Sequence, residues 1–349
     1  MGKDAAAEQV PDDYYHYWLR WQVFVCALIF LLPALLSMIL IIKSRSTTRT
    51  PPPPSQQQRG HRASTYRQLW LPCWTTLHPT WLLYYRALAF LTMTFFLYQI
   101  VRAFGFFIFF FYTQWTFALV AVYFALATII SAHGCWIHSK TPFAQSGDKD
   151  KLLKKNLEEE SKNDEYVSST SIMNQDDGGF IKCHAQVPID QQPGFWGVLM
   201  QCIYYTCAGA VMLTDIVFWC LLLPFMSGEH FQLTMLMACM HSVNAVFLIL
   251  DSTLNSLPFS WFGFVYFVLW SSSYVVFQWA LHVCCITWWP YPFLDLSNAW
   301  APIWYLALAL VHVPCYGSYV LLAKGKDSIF SRMFPHAYLR ISAEKKQKN

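Results

Sequence analysis

The sequence predicts an all-α protein, a polytopic transmembrane bundle of seven helices. Composition is the first observation behind this reading. Of 349 residues, 56% are hydrophobic and only 13% are charged, where a soluble domain carries roughly a quarter charged. The second is clustering. The charges leave long uncharged runs, Trp21 to Ile42, Ala103 to Ser139, Gln191 to Thr214, His230 to Leu250, Ser252 to Leu294 and Leu296 to Ala323. A bilayer core of about 30 Å needs about 20 apolar residues per helix. The third is the sorting of positive residues among the loops. Together these exclude a soluble globular domain, a disordered chain and a disulfide-stapled module. A transmembrane barrel would instead show short alternating segments.

The predicted helices span 20–42, 82–104, 107–133, 195–223, 231–250, 260–286 and 299–323. Residues 1–19 form an extracytosolic N-terminal segment, and 20–42 an extra N-terminal helix. It is not expected to be a cleavable leader, because its early charges are mixed and its apolar run exceeds a signal core of about 7–15 residues. Residues 43–81 contain Pro51-Pro52-Pro53-Pro54 and Gln56-Gln57-Gln58 and read as a stiff, exposed, cytosolic linker. Helices two and three occupy 82–139. Arg86 and Arg102 both fall in helix two, and both are expected to snorkel toward the interfaces. Residues 140–194 are rich in Lys, Glu, Asp and Ser without apolar periodicity, and are expected to be a disordered loop. Helices four to seven fill 195–323, and 324–349 is a basic tail.

With seven helices, 21 of the 24 Lys and Arg residues fall on one side, and Lys3, Arg20 and Arg102 on the other. The positive-inside rule then sets the N-terminus outside or lumenal and the C-terminus in the cytosol. The near-dilysine end, Lys345-Lys346-Gln347-Lys348-Asn349, suggests the endoplasmic reticulum or another endomembrane, with the plasma membrane as the alternative. Aromatic residues crowd the predicted helix ends, among them Trp18, Trp70, Trp74, Trp81, Trp288 and Trp300, as headgroup belts do. A net charge of +4 gives no reason to expect nucleic acid. None of the 11 cysteines stands in a C-x-x-C pair, so no zinc site is expected, and no metal or cofactor is required.

Ionisable residues inside apolar helices are costly in lipid and mark function or pairing. His241, in Met240-His241-Ser242-Val243-Asn244, is the sharpest candidate. It lies about 10 residues into helix five, or about 15 Å at the helical rise, which is the midplane. Asp215 follows Thr214 in helix four. A carboxylate at that depth relays protons, orients a histidine or caps the break before Pro224. His282 and His312 sit in helices six and seven. His241 and His312 at similar depth suit axial haem ligation or proton relay. Thr113, in Phe111-Tyr112-Thr113-Gln114, is unremarkable alone, since membrane threonines usually bond the carbonyl four residues back.

Phe111-Tyr112-Thr113, Met240-His241-Ser242 with Phe247-Leu248-Ile249-Leu250-Asp251, and Trp289-Pro290-Tyr291-Pro292-Phe293-Leu294-Asp295 resemble the androgen-induced, FAHFA-hydrolase-like membrane family. The resemblance runs from about Ala87 to Ala323 and is nearest to the plant, rolling-stone-like branch. The animal members are six-helix proteins that hydrolyse fatty acid esters of hydroxy fatty acids, with an intramembrane threonine nucleophile and a histidine. Carried over by motif, these roles fall on Thr113 and His241, with membrane lipids and an amphiphilic ester as the partners. His282, Asn244 and Asp215 are our own candidates for orienting His241 or binding an oxyanion. The extra N-terminal helix, the proline linker and the long loop depart from the family pattern. Thr113 and His241 are expected to meet only if helix three starts near Phe107. The alternatives are a non-enzymatic seven-helix receptor or scaffold of the rolling-stone type, and a haem- or proton-coupled carrier using His241, His312 and Asp215.

Overall fold

The computed structural model describes residues 17–47, 67–140, 194–226 and 235–339. The N-terminal segment, the proline and glutamine runs, most of the charged loop and the lysine-rich end lie outside the described residues. Those residues contain no strand, and seven of their helices are long and apolar enough to cross a membrane. The protein is a multi-pass integral membrane protein built as an all-α bundle.

The helices are α1 (Trp21–Thr47), α2 (Pro79–Phe104), α3 (Tyr112–Lys140), α4 (Phe195–Ile216), α5 (Met235–Met240 and Val243–Leu254), α6 (Phe264–Cys284) and α7 (Ala301–Met333). We call the end where α1 starts the near end, and the end where it finishes the far end. The α1 face is mostly open to lipid, with Leu28, Leu32, Leu35 and Ile39 exposed. Its Cys26 is buried, and the Phe30 carbonyl accepts a bond from Ser272 of α6 at 3.4 Å. Inside the bundle, α4 and α6 come very close. A Cβ built on Gly209 of α4 would fall onto the Phe267 ring, so only glycine lets the two helices meet there.

Several boundaries differ from expectation. Helix α2 opens at Pro79, behind the His78 cap whose Nδ1 accepts from the Thr80 amide; proline suits this first helical position. Helix α3 starts at Tyr112 instead of 107, because Gly105, at φ 72°, ends α2 and a 3₁₀ turn over Phe106–Phe110 follows. Helix α3 also runs on to Lys140, and α7 continues ten residues past Ala323. At 33 residues α7 is about 50 Å long, so its charged last turns extend past a bilayer core.

The reading of 43–81 as an exposed linker fails at residues 69–73. Leu69, Trp70 and Cys73 are buried. The Cys73 amide bonds Leu254, and its carbonyl accepts from Leu339. This segment therefore closes the far end, and Trp70 packs in the core instead of the headgroup layer.

Arg86 does not snorkel. It is fully buried, and Nε meets Asp251 Oδ1 at 2.9 Å. Its Nη1 donates to the Leu69 carbonyl and to Ser131 Oγ, both at 2.8 Å. Asp251 Oδ2 also accepts from Tyr123 and from Asn255, each at 2.6 Å. Lys326 of α7 donates to the Ser252 and Asn255 carbonyls. In lipid a lone guanidinium is costly, and a carboxylate within reach removes the reason to escape to the interface. The network ties α2, α3, α5 and α7 at the far end.

Candidate functional site

The near half of the bundle holds a cavity of about 110 Å³. Thr113 of α3 and His241 of α5 both line it, with Thr214 of α4, Ser271 and Tyr274 of α6, and His312 of α7. The loop between α6 and α7 closes it with Tyr291, Phe293 and Leu294.

Local breaks in the helices set up this geometry. The Phe110 carbonyl, last of the 3₁₀ turn, accepts from Tyr274 at 2.8 Å and from Gln278 at 2.6 Å. These two α6 side chains fix where α3 begins, and Thr113 is its second residue. Helix α5 is interrupted at His241 and Ser242. Ser and Asn here offer the backbone competing hydrogen bonds, and Asn244 Oδ1 accepts from the next amide, Ala245, at 2.9 Å.

Across from this break α4 widens into a π-helical stretch, Val217–Leu222; such bulges are frequent at functional sites. Two of its residues hold His241. The Phe218 ring lies flat on the imidazole, centroids 3.6 Å apart and planes at 2°. Trp219 Nε1 donates to the His241 carbonyl at 2.9 Å.

Thr113, the second residue of α3, and His241 line one cavity, although α3 starts five residues later than the expected meeting required.

His241 is 8% exposed, and its Nδ1 has no hydrogen-bond partner among the described residues. His312 differs: its Nδ1 bonds the Leu308 carbonyl at 2.6 Å and its ring stacks on Phe267. That bond makes Nδ1 the protonated nitrogen and leaves Nε2 as an acceptor.

The three supporting candidates separate. Asp215 and Asn244 do not line the cavity but stand behind Thr214. The Thr214 hydroxyl reaches Asp215 Oδ1 at 3.4 Å. The Asn244 side chain lies beside the same carboxylate, while its Nδ2 closes no hydrogen bond among the described residues. His282 is elsewhere, stacked on Trp289 at 4.2 Å with Tyr17 and Trp18 around it. It joins α6 to the start of α1 and does not border the cavity.

Several site residues escape sequence reasoning about charge: Tyr112, Ser271, Tyr274, Gln278 and Tyr291 are uncharged. A usable signal exists in α6. Ser271, Tyr274 and Gln278 fall at i, i+3 and i+7, one polar stripe on an apolar helix. Tyr291 lies in the Trp-Pro-Tyr-Pro-Phe-Leu run.

The cavity has room for a small polar group, since a cavity of about 150 Å³ holds one benzene ring. A haem between His241 and His312 does not fit that space. Among the described residues no three His, Cys, Asp or Glu converge as a metal site. Comparison of the chain with family models, with curated proteins and with solved structures gave no match.

Proposed function

We propose that this protein is a membrane-embedded hydrolase of lipid esters, with Thr113 as nucleophile and His241 as general base. One observation carries the reading: a hydroxyl and an unpartnered buried imidazole line the same small cavity between apolar helices. The resemblance to the FAHFA-hydrolase-like family supports it, and makes fatty acid esters of hydroxy fatty acids or similar amphiphilic esters the proposed substrates.

A threonine hydroxyl is a weak nucleophile until a base takes its proton. His241 would accept it as Oγ attacks the ester carbonyl. The tetrahedral intermediate then collapses, the ester C–O bond breaks, and the alcohol leaves with the proton from His241. Water, activated by the same histidine, releases the fatty acid from Thr113. At about 110 Å³ the cavity suits the ester group alone, so both chains would lie among the helices and in lipid. By charge sorting, we also propose an extracytosolic N-terminus and a cytosolic C-terminus in an endomembrane.

The test is covalent labelling by a fluorophosphonate probe of the full chain in lipid nanodiscs. Wild type should label, while Thr113→Ala and His241→Ala should not, at unchanged thermal stability. A folded wild type that stays unlabelled would refute the reading. The second reading is a proton-coupled carrier, favoured by His241 and His312 on one cavity with Asp215 close behind. It predicts proton flux in proteoliposomes that His312→Phe abolishes and Thr113→Ala spares.

A further inference from the structure

The Trp289–Asp295 segment is the most distinctive run in the sequence, and the Thr–His reading gives it no task. It forms a rigid cover over the cavity. Trp289 stacks on His282, and its Nε1 donates to the Tyr17 hydroxyl at 3.3 Å. The Leu294 carbonyl is held by Tyr305 at 3.2 Å, and Asp295 Oδ1 accepts from the Ser297 amide at 2.8 Å. Two prolines flank Tyr291. A residue before proline is pressed into extended backbone, and Tyr291 has φ −128° and ψ 131°. Its ring is then fixed by stacking on Phe293 at 4.9 Å and by the edge of Phe111.

What this cover delivers is one hydroxyl. The Tyr291 phenol lines the cavity and faces the Thr113 hydroxyl together with the backbone amides of Tyr112 and Thr113. Those amides belong to the first turn of α3, where helical N–H groups lack intrahelical partners. A tyrosine hydroxyl out of water normally finds a partner, and the neighbouring tyrosines do. Tyr112 pairs with Ser271 at 2.8 Å, Tyr274 with the Phe110 carbonyl at 2.8 Å, and Tyr305 with Leu294. Tyr291 differs: its phenol oxygen is met by the Thr113 hydroxyl and by the backbone of Tyr112 and Thr113, so the hydroxyl is held at the nucleophile itself.

We propose that Tyr291 is the oxyanion donor of the site, its hydroxyl donating to the carbonyl oxygen of the ester as Thr113 attacks. The inference rests on the hydrolase reading and extends it. As the Thr113 Oγ–carbon bond forms, the carbonyl π pair moves onto oxygen, and the Tyr291 O–H solvates that charge without giving up its proton. The same O–H releases the oxygen when the carbonyl re-forms and the alcohol leaves. Burial raises the phenol above its ordinary ionisation range, so it stays a donor at neutral pH. A donor aimed at the developing charge acts on the transition state more than on bound substrate.

Tyr291→Phe keeps the ring and its stack on Phe293 and removes only the O–H. Loss of one such donor lowers rate by about 10²–10³-fold. In nanodiscs, fluorophosphonate labelling of Tyr291→Phe should show a limiting rate at least about 100-fold below wild type. The probe concentration for half-saturation should not move. A limiting rate equal to wild type, with Thr113→Ala unlabelled, would overturn Tyr291 and leave the hydrolase standing. A folded but unlabelled wild type would overturn both. Should Tyr291→Phe fail to fold, a ring-fluorinated tyrosine at 291 replaces it. Its phenol ionises at lower pH, so its labelling should fall relative to wild type as pH rises. Labelling that tracks wild type at every pH overturns the proposal.

Discussion

The two ends of this bundle handle buried polarity in opposite ways. At the far end a full charge pair, Arg86 with Asp251, is buried and almost completely bonded; only Arg86 Nη2 lacks a partner. At the near end no ion pair forms among the described residues, and His241 Nδ1, Asn244 Nδ2, Gln114 Oε1 and Gln278 Oε1 are buried there without partners among them, with the cavity among the same helices. An unpaired polar group in lipid is costly, and of these four His241 is the one that borders the cavity. The lesson concerns reading membrane sequences. The residues that look most anomalous, the arginine and aspartate, are the satisfied ones, and they hold the scaffold. Around the cavity, His241 and His312 stand among uncharged residues such as Thr113, Ser271, Tyr274 and Tyr291.

The sharpest way to break the comparison is at the far end. Asp251→Ala would leave Arg86 charged and buried and would free Tyr123 and Asn255. Removing one partner of a buried pair costs about 3–5 kcal/mol. We expect a large fall in the unfolding midpoint in detergent, or loss of folded protein. The double variant Arg86→Leu with Asp251→Leu should recover much of that loss, because it buries no lone charge. If Asp251→Ala unfolds like wild type, the far end is not the clamp described here.

Next in size is Gly209→Leu. The Phe267 ring occupies the place of any side chain at 209, and overpacking costs about 1–3 kcal/mol. Phe267 also stacks on His312, so the change is transmitted to the cavity wall. Stability and fluorophosphonate labelling should fall together in Gly209→Leu. In Asp251→Asn, which keeps the shape and loses the charge, stability should fall with the labelling rate of the folded fraction unchanged. The opposite pattern would mean that the two ends are not separable.

Sequence patterning carries the architecture because lipid leaves few options. Uncharged runs of helical length mark six of the helices, the second being interrupted by Arg86 and Arg102, and the seven spans appear near their expected places. Continuous apolarity says nothing of interruptions, and the site is made of them. The Phe106–Phe110 turn, the widened stretch of α4 and the break at His241 and Ser242 each follow from one or two residues inside otherwise apolar helices. The burial of Arg86 was not legible because its partner lies 165 positions away. Thr113 and His241 line one cavity, whereas His282 is drawn off by Trp289, a contact that no helical spacing encodes.

The smallest expected effect is the most discriminating. Trp219→Phe removes the bond from Nε1 to the His241 carbonyl and keeps an aromatic ring on α4. A single neutral hydrogen bond contributes about 1 kcal/mol, so the unfolding midpoint should barely move. That carbonyl lies at the α5 break, however, and the bond helps hold the His241 backbone where the Phe218 ring can cover the imidazole. A small shift of a catalytic base costs far more in rate than in stability. We therefore expect Trp219→Phe to slow fluorophosphonate labelling by about tenfold or more at nearly wild-type stability. Tyr85→Phe, which loses an equivalent bond to the Phe247 carbonyl further along α5, should cost similar stability with no change in labelling. Equal labelling in both variants would show that the break in α5 is a packing feature only, and the near end would then differ from the far end in polarity but not in purpose.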